Sequence, residues 1–135
     1  MDGGYEFYFD ECVLGAAKRL REQGFEVLHP DHPAIPQLRY GSADTAWMPE
    51  VARLGLIGVT RDRRINQRLS ERLIVREAGL RVVWFGGSKD MTPGEQAALF
   101  LRHVERIRRT AIKQGAGPWG LKLTDRSVKP VHLTH

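Results

Sequence analysis

The sequence predicts an α/β fold with three layers (α/β/α), in which helices cover both faces of a central parallel sheet of four to five strands. Apolar runs that fit strands alternate with stretches of helical periodicity, an order typical of parallel sheets. The run at 56–60 is apolar on both faces, as a central parallel strand requires. Thr92-Pro93-Gly94-Glu95 has the spacing of a capping box, with proline at the first helical position, and predicts a long helix at 93–114.

The first part of the chain predicts two strands, a helix and a loop. A strand at 5–9 leads to a helix at 12–23, whose apolar residues recur at helical spacing and which ends at Gly24. A second strand is predicted at 25–28. Three prolines then fall between 29 and 41, and they predict a loop.

Two more helices and two more strands are predicted before the long helix. Gly55 and Gly79 mark the ends of these helices, because glycine readily takes the positive φ found there. The predicted elements are a helix at 43–54, a strand at 56–60, a helix at 69–78 and a strand at 80–85.

The residues after the long helix carry weaker signals. Glycines and a proline at 115–118 end the helix, and the weak alternation that follows fits a short hairpin. We therefore divide the chain into a domain at 1–114 and a C-terminal tail at 115–135, a short hairpin that packs on the domain or on a partner.

Composition and charge describe a single basic domain. The 135 residues carry a formal net charge of +5, which favours a polyanionic partner such as nucleic acid. The single cysteine, Cys12, excludes an internal disulfide and suits a reducing cytoplasm. We expect it to be a small buried residue, with a reactive thiol as the alternative. Because the sequence shows no signal peptide and no run long enough to span a membrane, we expect a cytoplasmic protein without a membrane partner.

Three aspartates lie where an open parallel sheet gathers its functional groups. Asp10 ends the first strand, Asp62 follows the strand at 56–60, and Asp44 opens the second helix. Ligand sites of such sheets lie outside the carboxyl ends of the strands, so we expect the three side chains to converge. Converging carboxylates repel one another unless a cation lies between them, and oxygen ligands favour Mg²⁺ or Mn²⁺. Taken singly, each aspartate is better explained as a helix cap or a turn residue, but the first and third predicted strands both end in aspartate, and this joint pattern favours a site.

Such a site is suited to the hydrolysis of phosphodiester bonds. Divalent ions held by carboxylates activate the attacking water and stabilise the leaving oxygen. The candidate catalytic residues are Asp10, Asp44 and Asp62 as metal ligands, with Glu11 as a helper. Thr60 is a candidate for hydrogen bonding to a ligand or water near the substrate, with an ordinary strand residue as the alternative. The sequence therefore predicts a metal-dependent phosphodiesterase acting on nucleic acid.

Two groups of basic residues are candidates for contacts with a nucleic-acid backbone. One group surrounds Asp62 and comprises Arg61, Arg63, Arg64, Arg68 and Arg72. The other recurs at steps of four and three along the long helix, which places it on one outward stripe: Arg102, Arg106, Arg109 and Lys113. For each group the alternative is a solvated helix face.

Two further sets of residues have simpler explanations. His29, Asp31 and His32 do not make a complete metal-ligand set, so we expect polar loop residues near the mouth of the site. Trp47 and Trp84 are expected in the core, with stacking on nucleic-acid bases as the alternative.

At these residues the sequence resembles the PIN-like nucleases, in the subgroup related to VapC-type toxins. The resemblance covers about residues 5–110, and its order and spacing are more specific than any one motif. It rests on three segments: Phe7-Tyr8-Phe9-Asp10-Glu11, Asp44-Thr45-Ala46-Trp47 and Thr60-Arg61-Asp62-Arg63-Arg64-Ile65.

The resemblance implies a three-layer fold that cleaves RNA with Mg²⁺ or Mn²⁺. It implies that Asp10, Asp44 and Asp62 are the metal-binding acids, and that the protein is a toxin neutralised by a cognate antitoxin protein. It also implies that a homodimer can form. Many PIN domains carry a further acid two positions after the last aspartate, where this chain has Arg64. That departure leaves open a single ion, Glu11 as a substitute, or loss of activity.

Two other functions compete with the nuclease. One is a catalytically degenerate PIN-like module that binds RNA or a protein, which the arginine at the fourth acidic position favours. The other is a phospho-acceptor receiver domain, which also places acids at strand ends. A receiver requires an acceptor aspartate ending the third strand and a lysine after the last one, and this chain fits that pattern poorly.

Overall fold

The structure, a computed structural model, describes residues 4–62, 68–86 and 90–133. In these residues a five-stranded sheet lies between two layers of helices, which confirms the predicted three-layer α/β/α fold. The strands follow one another across the sheet in chain order; the first four are parallel, and the last is antiparallel to its neighbour. They are β1 (Phe7–Phe9), β2 (Ile57–Thr60), β3 (Arg81–Phe85), β4 (Trp119–Leu123) and β5 (Val128–Val131).

The helices of the described residues divide between the two faces of the sheet. They are α1 (Leu14–Glu22), α2 (Asp44–Arg53), α3 (Leu69–Ala78) and α4 (Pro93–Gln114), and one 3-10 turn (Glu11–Val13) precedes α1. Helices α1 and α4 pack together on one face, and α2 and α3 pack together on the other. Among the described residues, no helix is both long enough and apolar enough to span a bilayer.

Side chains of β1 and β3 alternate between the two hydrophobic clusters, as a pleated sheet requires. In β1, Phe7 and Phe9 pack in the cluster with α1 and α4, whereas Tyr8 packs in the cluster with α2. In β3, Val83 and Trp84 divide in the same way. All of β2 is buried, as predicted for a central parallel strand. The first three strands of the sheet are therefore covered by packed side chains on both faces.

The predicted ends of α3 and α4 agree with the structure because local backbone chemistry sets them. Thr92 accepts a hydrogen bond from the backbone N–H of Glu95 at 3.1 Å, and Glu95 accepts one from the N–H of Thr92 at 2.8 Å. This is the predicted capping box. Gly79 follows α3 with a φ of 70°, which a residue without Cβ adopts at little cost.

The strand predicted at 25–28 is wrong. Only Leu28 bridges β1, through a bond from its N–H to the Phe7 carbonyl and a bond from the Phe9 N–H to its own carbonyl, both at 2.9 Å. The chain cannot continue the ladder, because Phe25 is bonded to the end of α1 through the Leu20 carbonyl and Pro30 brings no N–H. Val27 and Leu28 are buried and Phe25 is half-buried beside a sheet edge, without forming a strand.

Residues after α4 extend the same sheet. β4 pairs with β3 in parallel, and β5 returns beside β4 after a turn closed by a bond from the Thr124 N–H to the Ser127 carbonyl at 2.9 Å. These strands lie within the segment assigned to a tail at 115–135. The division into a domain at 1–114 and a tail at 115–135 stays a prediction.

Candidate active site

Asp10 is the most enclosed acid at the carboxyl end of the sheet. It directly follows β1, and its side chain is 4% exposed. Oδ1 accepts bonds from the backbone N–H of Cys12 at 3.0 Å and from the Cys12 thiol at 2.8 Å, while Oδ2 accepts from the Thr60 hydroxyl at 2.7 Å. Asp10 therefore caps the short 3-10 turn and also contacts Thr60 of β2, so its capping role is present.

Burial makes ionisation of Asp10 unfavourable. Desolvation is the largest cause that raises the pKa of Asp10, from an ordinary 3.8 to about 6, and the negative charge of Asp44 adds to it. Hydrogen bonds from Cys12 and Thr60 act in the opposite direction and stabilise the carboxylate. Asp10 and Asp44 are thus close enough to repel each other.

Thr60 connects the ends of β1 and β2. It is fully buried, and its hydroxyl donates to Asp10 while accepting from the backbone N–H of Asp62 at 3.0 Å. The carbonyl of Asp62 in turn accepts from the indole N–H of Trp84, at the end of β3, at 3.1 Å. These bonds fix the backbone of the half-buried Asp62 relative to Asp10. Thr60 acts through the acids and does not present its hydroxyl to solvent.

Asp44 is held at the first turn of α2. Its Oδ1 accepts from the indole N–H of Trp47, three residues later in the helix, at 2.8 Å. Trp47 is buried, its ring centroid lies 5.5 Å from that of Tyr8, and it packs under Gly58 of β2. Because a Cβ on Gly58 would meet the Trp47 ring at 3.1 Å, the glycine allows the indole this close approach. The core thereby fixes the orientation of the Asp44 carboxylate.

Glu11 lies on the solvent side of these acids. It is exposed, and its Oε1 accepts from the backbone N–H of Gly41 at 2.8 Å. This bond joins the end of β1 to the end of the loop that leads into α2. Glu11 therefore supports the segment that carries Asp44.

The donor chemistry of the acids fits a hard divalent cation. Asp10 accepts three hydrogen bonds, and a carboxylate has about four acceptor positions, so one remains. A cation near Asp10 and Asp44 would offset both the desolvation and their mutual repulsion. Within the described residues, however, no group of three or more His, Cys, Asp or Glu side chains is arranged to hold a metal ion. Thr60 thus connects Asp10 to the backbone of Asp62, and the charge of Asp44 acts on Asp10.

The three candidate acids lie in a segment of the chain that matches a known protein family. A family model described as "PIN like domain" matches residues 5–87, more than half of the chain. The chain belongs to the PIN-like domain family. Domains of this family are generally nucleases, and the matched segment includes Asp10, Asp44 and Asp62. Comparisons with curated proteins and with solved structures gave no significant match.

Cys12 of this PIN-like domain differs from expectation. It is exposed rather than a small buried residue, because it lies on the 3-10 turn at the open end of the sheet. Its sulfur nevertheless points inward, 3.5 Å from the Thr60 hydroxyl oxygen and within bonding distance of Asp10. Burial of the sulfur, followed by the charge of Asp10, raises the pKa of the thiol to about 12. Cys12 therefore remains a protonated donor to Asp10 at neutral pH.

Arginines around Asp62 are mostly engaged by acids. Arg61 forms an ion pair with Asp90, and Arg68 forms one with Glu71 at 3.6 Å. Both arginines are exposed, so a polyanion can still reach them. Arg63 and Arg64, two of the predicted contacts with a nucleic-acid backbone, lie outside the described residues.

The long helix of the PIN-like domain carries its basic stripe outward, as predicted. Its opposite side, which includes Phe100, Val104 and Ile107, is buried against the sheet. Arg102 contacts the carbonyl of Asp125 at 3.1 Å. The remaining members of the stripe are exposed: Arg106, Arg109 and Lys113.

His29 and His32 have a structural role in the proline-containing loop at 29–41. Both are 7% exposed, and their rings make an edge-to-face contact at 5.1 Å. His29 bonds with the Pro30 carbonyl at 2.8 Å, and His32 accepts from the Ala34 N–H at 3.0 Å. Their ring nitrogens are therefore used to hold the turns of the loop.

Two functional roles were not visible in the sequence. Trp47 and Trp84 are core residues, as predicted, but each indole N–H also holds one of the candidate acidic residues. The spacing of Asp44 and Trp47 on a helix is a signal that could have indicated the first contact. The second joins different strands, and only the fold brings its members together.

Proposed function

We propose that the protein is a metal-dependent endoribonuclease, the toxin of a toxin–antitoxin pair of the VapC-related type. The observation that supports it best is the environment of Asp10. This acid is buried beside Asp44, and its carboxylate is oriented by Thr60 and Cys12 at the carboxyl end of a parallel sheet. A buried, repelled and oriented carboxylate in a nuclease family is suited to binding a divalent cation.

Asp10, Asp44 and Asp62 would hold Mg²⁺ or Mn²⁺. When bound, such an ion supplies a more acidic attacking water and offsets charge on the leaving oxygen. The rest of the work falls to side chains of the chain itself. Thr60 and Trp47 orient Asp10 and Asp44, so that their oxygens need not reorganise when substrate arrives.

RNA is the proposed substrate, and the net charge of +5 supports a polyanion. Arg61 and Arg68 are exposed on either side of Asp62 in the sequence, and each can exchange its carboxylate partner for a phosphate. Arg63 and Arg64 are proposed as further contacts on sequence position alone. We also propose a cognate antitoxin protein and a homodimer, because the three motif segments resemble those of VapC-related proteins. A cytoplasmic location is proposed from the sequence.

Cleavage of single-stranded RNA in the presence of Mn²⁺ tests the enzyme. We expect wild type to cut, and Asp10→Asn and Asp44→Asn to reduce the rate by at least about 100-fold at saturating RNA. Asp125→Asn is the matched control, because Asp125 is an exposed acid in the turn between β4 and β5. Equal cutting by wild type and both acid variants would exclude this site as the catalytic centre.

Growth of cells that express the protein alone tests the toxin role. We expect expression to slow growth, and Asp62→Ala to relieve the effect at equal protein level. Equal inhibition by both forms would separate any growth effect from nuclease chemistry.

A second candidate function is a catalytically degenerate PIN-like module that binds RNA or a protein. Two observations favour it: the described acids do not form a three-residue metal group, and Arg64 occupies the position of a fourth acid. The same assays separate the two functions. A binding module retains RNA with equal affinity in wild type and Asp10→Asn, and neither form cuts.

A further inference from the structure

Two lysines lie directly opposite each other in the β4–β5 ladder. Lys122 is paired in register with Lys129, and both side chains are exposed. Like charges at opposed positions of an antiparallel pair destabilise it. Such a pair calls for a reason other than the stability of the hairpin.

The lysines belong to a row of residues that crosses the sheet from the candidate active site. Thr60 is in register with Trp84, Trp84 with Lys122, and Lys122 with Lys129. Neighbouring strands lie about 4.8 Å apart, so the backbones of Lys122 and Lys129 are about 10 Å and about 14 Å from that of Thr60. Thr60 is bonded to Asp10, and the row therefore runs outward from the acids.

Residues of one such row project from the same face of a sheet. Trp84 packs in the cluster with α2 and α3, whereas Leu121 and Leu123, the neighbours of Lys122 in β4, pack in the cluster with α4. Lys122 and Lys129 thus lie on the face opposite α4, and both are exposed there. The row leads from Thr60, beside the acids, to these two lysines.

The stem of Lys122 lies across Gly86, the residue that follows β3. A Cβ built on Gly86 would come within 2.4 Å of Lys122 Cγ and 2.6 Å of Cδ, so this position requires glycine for the stem to pass. Gly86 is bonded to the Leu123 carbonyl, beyond Lys122 in the direction of the carboxyl edge. The Lys122 stem therefore extends toward the edge that carries Asp10 and Asp62.

Neither lysine has an acidic partner in the part of the chain that the structure describes. Arg61 and Arg68, by contrast, are engaged by Asp90 and Glu71. The acids of the site repel a phosphate backbone, so a strand that enters it needs cations nearby. The lysine pair supplies two cations that form no ion pair with a carboxylate of the described residues.

We propose that Lys122 and Lys129 form a phosphate-binding site for the single-stranded RNA that reaches the candidate active site. The proposal rests on the proposed function and extends it to the β4–β5 hairpin, which lies outside the segment matched by the family model. Lysines on edge strands also discourage pairing with other sheets. That role accounts for Lys129 on the edge strand β5, but not for Lys122 on an inner strand.

Binding and cleavage of a labelled oligouridylate RNA test the proposal with the full chain. Binding is measured in EDTA over a series of salt concentrations, and cleavage is measured with Mn²⁺. For Lys122→Gln/Lys129→Gln we expect the slope of log affinity against log salt to fall by about 0.7 per lysine removed. We expect KM to rise about tenfold while kcat stays within about twofold, because the contact is made equally in ground and transition states.

Three further variants control for charge and folding. Lys122→Arg/Lys129→Arg keeps both charges and should restore KM. Lys129→Gln alone leaves the contact with Gly86 intact, and it should give half of the change in slope even if the double variant folds poorly. Lys18→Gln/Arg19→Gln removes two exposed charges from α1 on the other face, and should change the slope less than the lysine variant does.

The results separate this inference from the proposed function. Unchanged slope and KM in the lysine variants, with cleavage intact, overturn the lysine site and leave the nuclease standing. An equal change in the α1 variant also overturns it, because the effect would then be one of net charge. A reduced slope without any cleavage by wild type keeps the lysine site and excludes the nuclease.

Discussion

The hydroxyl of Thr60 donates to Oδ2 of Asp10 at 2.7 Å, across the boundary between two neighbouring strands. The same oxygen accepts from the N–H of Asp62, so one buried atom contacts two of the three candidate metal ligands. The Asp10 carboxylate and the backbone of Asp62, far apart in the chain, are thereby held in a fixed relation before any ion or substrate binds. Such supporting contacts commonly set the affinity of a metal site.

Thr60→Val is expected to weaken the site without emptying the core. Valine has nearly the same shape, but the N–H of Asp62 loses its acceptor and Asp10 loses a donor, which costs about 1–3 kcal/mol of folding free energy. In wild type the hydrogen bond from Thr60 lowers the pKa of Asp10, so that pKa should rise further when the bond is removed. Mn²⁺ affinity, measured by thermal shift without RNA, should fall about 10- to 100-fold. Thr60→Ser keeps the hydroxyl, and an equal loss in that variant would contradict the role given to it.

Asp10→Asn is expected to stabilise the metal-free protein at alkaline pH. The pKa of Asp10 is raised to about 6 in the folded state, so the contribution of this group to stability is greatest below about pH 4 and is lost as pH rises through 6. Two pKa units correspond to about 3 kcal/mol, an upper estimate of the gain at pH 8. Chemical denaturation at pH 8 and pH 4 in EDTA measures it.

The gain in the Asp10→Asn variant should vanish at pH 4, where Asp10 is protonated in wild type. Added Mn²⁺ should also reduce the difference at pH 8, because it stabilises only the protein that retains the carboxylate. A variant less stable than wild type at pH 8 would mean that the hydrogen bonds to Asp10 outweigh its desolvation.

Trp84→Phe is expected to lower Mn²⁺ affinity through the backbone of Asp62. Phenylalanine fills most of the same volume but leaves the Asp62 carbonyl without its donor, which costs about 1 kcal/mol. Trp119→Phe is the matched control, because its indole N–H donates to the Gly115 carbonyl at the far end of β4. Titration calorimetry should show weaker Mn²⁺ binding in the first variant and wild-type binding in the second.

A chain that ends at Gln114 is expected not to fold. It would lose β4 and β5, expose the hydrogen-bonding edge of β3, and leave the side of α4 that covers β4 in water. Trp119, Leu121 and Leu123 are buried, and at about 1.5–3 kcal/mol each they match most of the stability of a small domain. Circular dichroism during heating measures this. A cooperative transition near that of the full chain would instead support an independent domain at 1–114.

Elements with strong local signals were predictable from sequence. The bounds of α3 and α4 follow from a glycine at positive φ and a capping box, which act within a few residues. The structure of the segment at 25–28 was not predictable. Its apolar residues satisfy strand periodicity, but its hydrogen bonds depend on neighbours elsewhere in the chain. Periodicity reports burial, whereas pairing is a property of the whole sheet.

The candidate site divides in the same way. Strand ends and the helix start indicated Asp10, Asp44 and Asp62, because parallel strands end at one edge. The sequence could not show that Trp84 supports Asp62, or that Lys122 is in register with Trp84 and Thr60. Both depend on the register between strands, which no local pattern fixes.

The sulfur of Cys12 faces Asp10 from an exposed turn, and no other thiol occurs in the chain. A fluorophore or spin label attached there would report from beside the acids, but labelling reagents react with the thiolate, so the raised pKa of this thiol calls for alkaline labelling conditions. Attachment would also remove a donor from Asp10 and add bulk at the open end of the sheet. Labelled protein is consequently a chemical mutant, and its behaviour has to be read as that of an altered site.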